Sequence, residues 1–254
     1  MSEALVGALL AARAHHRAIP PPSETRALSA GEAYAVQDRL REALMARGER
    51  VVGWKAGFTG KVAQAAFGTN EPVCAFLLAS SVFADRADVP VARFVGLVVE
   101  AEIAFVMKHD LAGPGVTPAR ALLAVAGAVP ALELVDFRMS GKPTATDVIA
   151  DGVYANALVV GAPMTDVAHL DLALEGLVYE LNGTVVATNA GAEVMGGPLN
   201  ALAWIANHLG ARGLGLRAGD LVMSGSISQL LRPKAGDTVR AAFTRLGAVS
   251  ARFS

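Results

Sequence analysis

Three glutamates stand where charge is costly. Between Phe94 and Met107 the chain runs Phe-Val-Gly-Leu-Val-Val-Glu-Ala-Glu-Ile-Ala-Phe-Val-Met, and Glu100 and Glu102 are its only charged residues. The β-branched content favours a strand, and residues two apart on a strand face the same way. Both carboxylates then lie a few Å apart, and each resists ionisation unless a cation sits between them. Glu133 sits at the centre of a second apolar run, Val129 to Val135. Three carboxylates without His or Cys form a hard oxygen site suited to Mg²⁺ or Mn²⁺. The competing reading is a solvent-facing side of each strand; apolar neighbours on both faces and the cost of burying unpaired charge weigh against it.

Lys55 belongs to the same argument. It lies in Val51-Val52-Gly53-Trp54-Lys55-Ala56-Gly57-Phe58-Thr59, where flanking glycines let a ligand approach closely. Taken alone it reads as a lysine reaching the surface past Trp54. Near an anionic site it could instead hold a substrate carboxylate or move a proton. Ser224-Gly225-Ser226 ends an apolar run with small hydroxyl residues, which can offer an anion hydroxyls and N–H groups or can form an ordinary turn. Asp147 and Asp151 read first as turn residues, with acids supporting the site as the alternative.

Other chemistries lack their residues. His15, His16, His109, His169 and His208 make no metal-binding spacing beyond the adjacent helical pair, and there is no HExxH, P-loop, Rossmann glycine pattern or nucleophile elbow. Cys74 is the single cysteine, so an internal disulfide is impossible and a cytoplasmic setting is expected. The formal net charge of −1 carries no basic surplus for a nucleic-acid groove. Mean hydropathy is +0.43, yet no uncharged apolar run reaches the roughly 18–20 residues of a membrane span.

The elements that must position these groups are legible in outline. Residues 1–50 read as a helical segment: one helix stopped by Ile19-Pro20-Pro21-Pro22, and another opened by a Ser29/Glu32 capping box and ended near Gly48. Residues 51–254 read as one β-rich unit, with a helix over about 118–126, an Asn182-Gly183 hairpin and a helix over 199–209.

Several motifs occur in a fixed order: Gly53-Trp54-Lys55-x-Gly57, Val99-Glu100-Ala101-Glu102-Ile103-Ala104-Phe105, Pro130-Ala131-Leu132-Glu133-Leu134-Val135-Asp136, Asp147-x-Ile149-Ala150-Asp151, and Ser224-Gly225-Ser226. Ile19-Pro20-Pro21-x-Ser23, Ala33-Tyr34-x-x-Gln37 and Phe243-x-x-Leu246-Gly247-x-Val249-Ser250 frame them. Together they resemble the 2-keto-4-pentenoate hydratase / 4-oxalocrotonate decarboxylase branch of the fumarylacetoacetate hydrolase superfamily, over nearly the whole chain. The resemblance implies a mixed α/β (α+β) fold, a β-sandwich roll with an amino-terminal helical segment. It also implies a divalent metal, Mg²⁺ or Mn²⁺, held by Glu100, Glu102 and Glu133, with Lys55 as the active-site lysine. Ser224, Gly225, Ser226 and Asp151 are the expected substrate contacts.

The implied activity is water addition to a 2-hydroxy-2,4-dienoic acid in aromatic-compound catabolism, by a homo-oligomer that binds neither nucleic acid nor membrane and could join a related pathway enzyme. Decarboxylation of a 2-oxo dioic acid is the alternative, favoured by a second anion-binding group at the far end of the pocket. An acylpyruvate-type C–C hydrolase and a catalytically impaired partner subunit remain further choices. The chain departs from the family pattern at Val73, Val98 and Gly152–Tyr154, around a substrate rather than at the metal ligands.

Overall fold

A computed structural model describes residues 2–254. Helix α1 spans Ser2–His15 and α2 Ala30–Ala46; strand β1 is Val51–Gly57, α3 Lys61–Ala66, β2 Val73–Leu78, β3 Val82–Ala84 and β4 Ala87–Val89. Then come β5 (Leu97–Met107), α4 (Pro118–Leu123), β6 (Val125–Asp136), α5 (Ala145–Ala150), β7 (Ala155–Val160), β8 (Gly176–Leu181) and β9 (Thr184–Ala190). The chain closes with α6 (Pro198–Gly210), β10 (Leu221–Ser226), β11 (Thr238–Phe243) and β12 (Gly247–Phe253).

Two mixed sheets form the body. The larger has the order β2-β1-β10-β5-β6-β7-β3, the smaller β4-β12-β11-β8-β9. They pack through their apolar faces: Tyr179 of β8 is fully buried, and its hydroxyl donates to the Val99 carbonyl of β5 at 3.1 Å. Burial of the near-continuous apolar runs in β5 and β6 supplies the drive, and each large side chain removed from water contributes roughly 1.5–3 kcal/mol. Among the described residues, no helix is long and apolar enough to cross a membrane.

Local chemistry explains most element ends. Ser29 and Glu32 form a reciprocal capping box at the start of α2. Thr144 and Asp147 repeat the device at α5, where Asp147 also accepts hydrogen bonds from the Ser23 amide and hydroxyl at 2.8 and 2.6 Å. Asn182 and Gly183 take φ of 53° and 77°, as a type I′ turn between β8 and β9 requires. The helix expected to reach about residue 126 ends at Leu123, because Val125 is already paired with Met107 in the β5–β6 ladder. Strand pairing overrides the helical tendency there.

Candidate metal centre and active-site cavity

Register brings the acids together. In the antiparallel β5–β6 pair Glu100 lies directly opposite Glu133, while Glu102 faces Ala131 on one side and Ser226 of β10 on the other. The three carboxylates each place an oxygen within 4.8 Å of the others. Glu102 and Glu133 are 1% exposed, and Glu100 is half-buried at the cavity wall. Glu102 Oε1 and Glu133 Oε2 are buried with no hydrogen-bond partner in the protein. Burial first, and then the charge of Glu133, raise the proton affinity of Glu100 to a pKa of about 7. Burial, then Glu133 and Glu100, push Glu102 well above the ordinary carboxylate range. Clustered, orphaned oxygens that resist ionisation fit a hard divalent cation, whose charge would reverse both effects.

Lys55 reaches this centre from β1. Its Nζ lies 2.6 Å from Glu133 Oε1 and donates to the Val153 carbonyl at 3.3 Å. Burial works against its charge, but Glu133, Glu100 and Glu102 outweigh it and hold the ammonium above its ordinary pKa. Lys55 is therefore a fixed cation at 2% exposure, not a lysine that snorkels to solvent.

The strand end at 224–226 divides its labour. The β10–β5 register shifts between Met223 and Ser226, and Gly225 adopts φ +112°, a left-handed value that favours glycine. This turns the Gly225 N–H onto Glu102 Oε2 at 2.8 Å. Ser226 lines the cavity beside Glu100 and donates to the Ser228 carbonyl at 2.9 Å. Ser224 is fully buried, and its hydroxyl is spent on the Ile103 carbonyl at 2.8 Å.

Asp151 likewise stands behind the cavity wall. It is fully buried and accepts from Arg138 Nη2 at 2.6 Å and Nε at 3.3 Å. Sequence reasoning passed over Arg138, which is 1% exposed and also pairs with Asp136 at 3.3 Å, and over Arg13 of α1, which donates to the carbonyls of Asp151 and Ala155. The available signal was the pair of charges at the end of the apolar run, Asp136 closing β6 and Arg138 just beyond it, but nothing nearby in sequence named their partners.

Glu100 and Lys55 open on a cavity of about 930 Å³, with Glu102 and Glu133 buried behind them. That is a usual size for a small-molecule site. Its walls include Phe58 and Phe67, stacked at 4.5 Å, with Val153, Tyr154 and Ile227. Asn189 of β9, whose Oδ1 is buried without a partner, looks in from the smaller sheet. Glu100 and Lys55 thus mark one end of a space with apolar walls, while Lys61 and Glu193 add charge elsewhere in the lining.

Comparison with known proteins agrees with this arrangement. Residues 48–254 match the family model described as fumarylacetoacetate (FAA) hydrolase C-terminal. A 2-hydroxyhexa-2,4-dienoate hydratase from Comamonas testosteroni is 38% identical over 220 residues, 85% of this chain and 82% of the relative. A 4-oxalocrotonate decarboxylase from Pseudomonas sp. (strain CF600) is 36% identical over 223 residues, 87% of this chain and 84% of the relative. The solved 4-oxalocrotonate decarboxylase from Pseudomonas putida G7, complexed with magnesium and adipate, superimposes with a TM-score of 0.96 at 32% identity, covering 100% of this chain and 97% of that one. A matched fold, carboxylates and a lysine gathered from three strands of one sheet, and relatives alike over most of their length lead to one statement: the chain belongs to the fumarylacetoacetate hydrolase family.

Proposed function

We propose that this protein is a divalent-metal-dependent lyase that adds water to a 2-hydroxy-2,4-dienoic acid. The observation that carries the reading is the buried Glu100–Glu102–Glu133 cluster with Lys55 Nζ 2.6 Å from Glu133. The likeness to a dienoate hydratase at 38% identity supports it. Glu100, Glu102 and Glu133 would hold Mg²⁺ or Mn²⁺, which when bound would supply positive charge to negative charge developing on the substrate. Lys55, kept charged, donates a hydrogen bond or a proton at the charged end of the substrate. Ser226 and the Gly225 segment border the same end, with Ser224 and Asp151 supporting from behind. Phe58 and Phe67 give the hydrocarbon tail an apolar wall. The protein works in the cytoplasm as a homo-oligomer on this reading.

Decarboxylation of a 2-oxo dioic acid is the second reading, because Lys61 at the cavity wall, its Nζ 3.0 Å from Gln64 Oε1, offers a distal carboxylate a cation. The test is product analysis on chelator-stripped protein given 2-hydroxypenta-2,4-dienoate or oxalocrotonate, with and without Mg²⁺ or Mn²⁺. Metal-dependent formation of a 4-hydroxy-2-oxo acid without CO₂ is the expected result. Metal-dependent CO₂ release from oxalocrotonate selects the decarboxylase, and no turnover of either overturns both readings.

A further inference from the structure

The wall that meets Lys55 is an unusual piece of backbone. Gly152, Val153 and Tyr154 are consecutive left-handed residues, with φ of 80°, 53° and 55°. For a β-branched valine that conformation is a clear outlier, and it persists only when its surroundings over-determine it. Here the restraints converge from α1, the end of β6 and the segment just after it. Arg138 grips Asp151 through two nitrogens and donates to the Ala155 carbonyl at 3.3 Å. Arg13, reaching in from α1, donates to the Asp151 carbonyl and, at 3.0 Å, to the Ala155 carbonyl. The Tyr154 carbonyl accepts from the Asp136 amide at 3.0 Å. Both ends of the left-handed run are therefore tied down.

What this turn presents to the cavity is the Val153 carbonyl, which accepts from Lys55 Nζ at 3.3 Å. Glu133 holds the same ammonium from the other side at 2.6 Å. Gly57 is matched to the arrangement, since a Cβ there would stand 2.6 Å from Val153 Cγ1. Were the turn to relax, Lys55 would keep its acid and lose its second anchor.

We propose that Arg13, Arg138 and Asp151 are positioning residues: they clamp Gly152–Val153–Tyr154 so that the Val153 carbonyl fixes the Lys55 ammonium in the cavity. Docking of the first helix thereby sets where that ammonium points. The proposal rests on the reading of Lys55 as a group that acts on substrate.

Arg13→Met is the informative variant, because the Arg13 side chain is 16% exposed and α1 keeps its own apolar anchors Leu9 and Leu10. A misplacement of about 1 Å at a reacting group costs on the order of 100-fold in rate, so kcat is expected to fall about 10- to 100-fold. KM changes less than about twofold, because uniform binding of the substrate is left intact. Stabilisation by added Mg²⁺ stays at the wild-type value. Arg13→Lys recovers part of the rate, since one amine can reach only one of the two carbonyls. In a Lys55→Met background Arg13→Met has no further effect on the residual rate, as two changes along one line of action are non-additive.

A wild-type kcat in Arg13→Met beside an impaired Lys55→Met overturns the clamp and leaves the lysine reading standing, as does a full extra loss in the double variant. Wild-type turnover in Lys55→Met overturns the lysine reading itself. Should Arg13→Met lack a cooperative melt, Arg13→Gln, which keeps one amide donor, is read against the same outcomes.

Discussion

Replacing Gly225 with alanine tests whether the strand end aims the metal centre. Gly225 sits at φ +112°, outside the region a Cβ tolerates, and holding alanine there costs about 1–3 kcal/mol. The added methyl would lie 2.4 Å from Thr59 Oγ1, 2.5 Å from its Cγ2 and 3.0 Å from its Cβ. Overpacking of that kind costs about 1–3 kcal/mol more, for a total of roughly 2–6 kcal/mol. If the backbone yields instead, the Gly225 N–H leaves Glu102 Oε2, and the carboxylate turns from its partners. A yielding backbone weakens binding: Mg²⁺ at a hundred times its Kd adds about 2.7 kcal/mol of stability to an intact site, and the variant then gains much less, whereas a backbone that holds shows only the lost stability. The assay is urea unfolding with and without Mg²⁺. Adding Thr59→Gly removes the atoms in the way, so the double variant should recover about 1–3 kcal/mol relative to the summed single effects. A Gly225→Ala protein within about 0.5 kcal/mol of wild type, with full Mg²⁺ stabilisation, refutes the argument.

Three further outcomes follow from charge and burial. Glu102→Gln keeps an acceptor for Gly225 and removes a buried charge, so the metal-free protein melts at or above the wild-type temperature while Mg²⁺ no longer stabilises it; calorimetry reads both. The raised pKa of Glu100 favours the fold below the ordinary carboxylate value of 4.5, and that contribution is lost as pH rises through about 7. Metal-free protein therefore loses melting temperature across that window, and Mg²⁺ stabilises more at pH 8 than at pH 5; a flat profile contradicts the assignment. Cys74 is fully buried with its thiol pushed up to about 12, so it resists iodoacetamide in the native state and reacts once urea unfolds the chain.

The parts of the site legible in sequence are those that obey strand periodicity. Glu100, Glu102 and Glu133 stood out because a lone acid in an apolar strand demands a partner, and register then brought them together. Ser224 and Ser226 show where periodicity fails. Two apart, they should share a face, yet the register shift at Gly225 sends one hydroxyl to the Ile103 carbonyl and leaves the other at the cavity. Asp151 was visible as a residue type but not as a direction: its partners Arg13 and Arg138 lie far along the chain or across a turn, and neither carries a local pattern. The Ser29–Glu32 capping box and the Asn182–Gly183 turn were legible because their physics spans only four residues.

The distribution of the site along the chain bears on how such an enzyme can change over generations. All three acids belong to one antiparallel pair, β5 and β6, at the centre of the larger sheet, where almost any substitution disturbs the core. The mouth of the cavity is assembled from other stretches, the 58–67 loop and helix, residues 189–193 and residues 226–230, with Val62 86% exposed and Leu230 47% exposed. Mutations can accumulate at the mouth with little penalty to the fold, while the charged end is inherited almost as a block. Shape and polarity of the tail-binding region can drift toward a new acid without reinventing the centre that handles its common head, so one scaffold can descend into several substrate preferences by surface change alone.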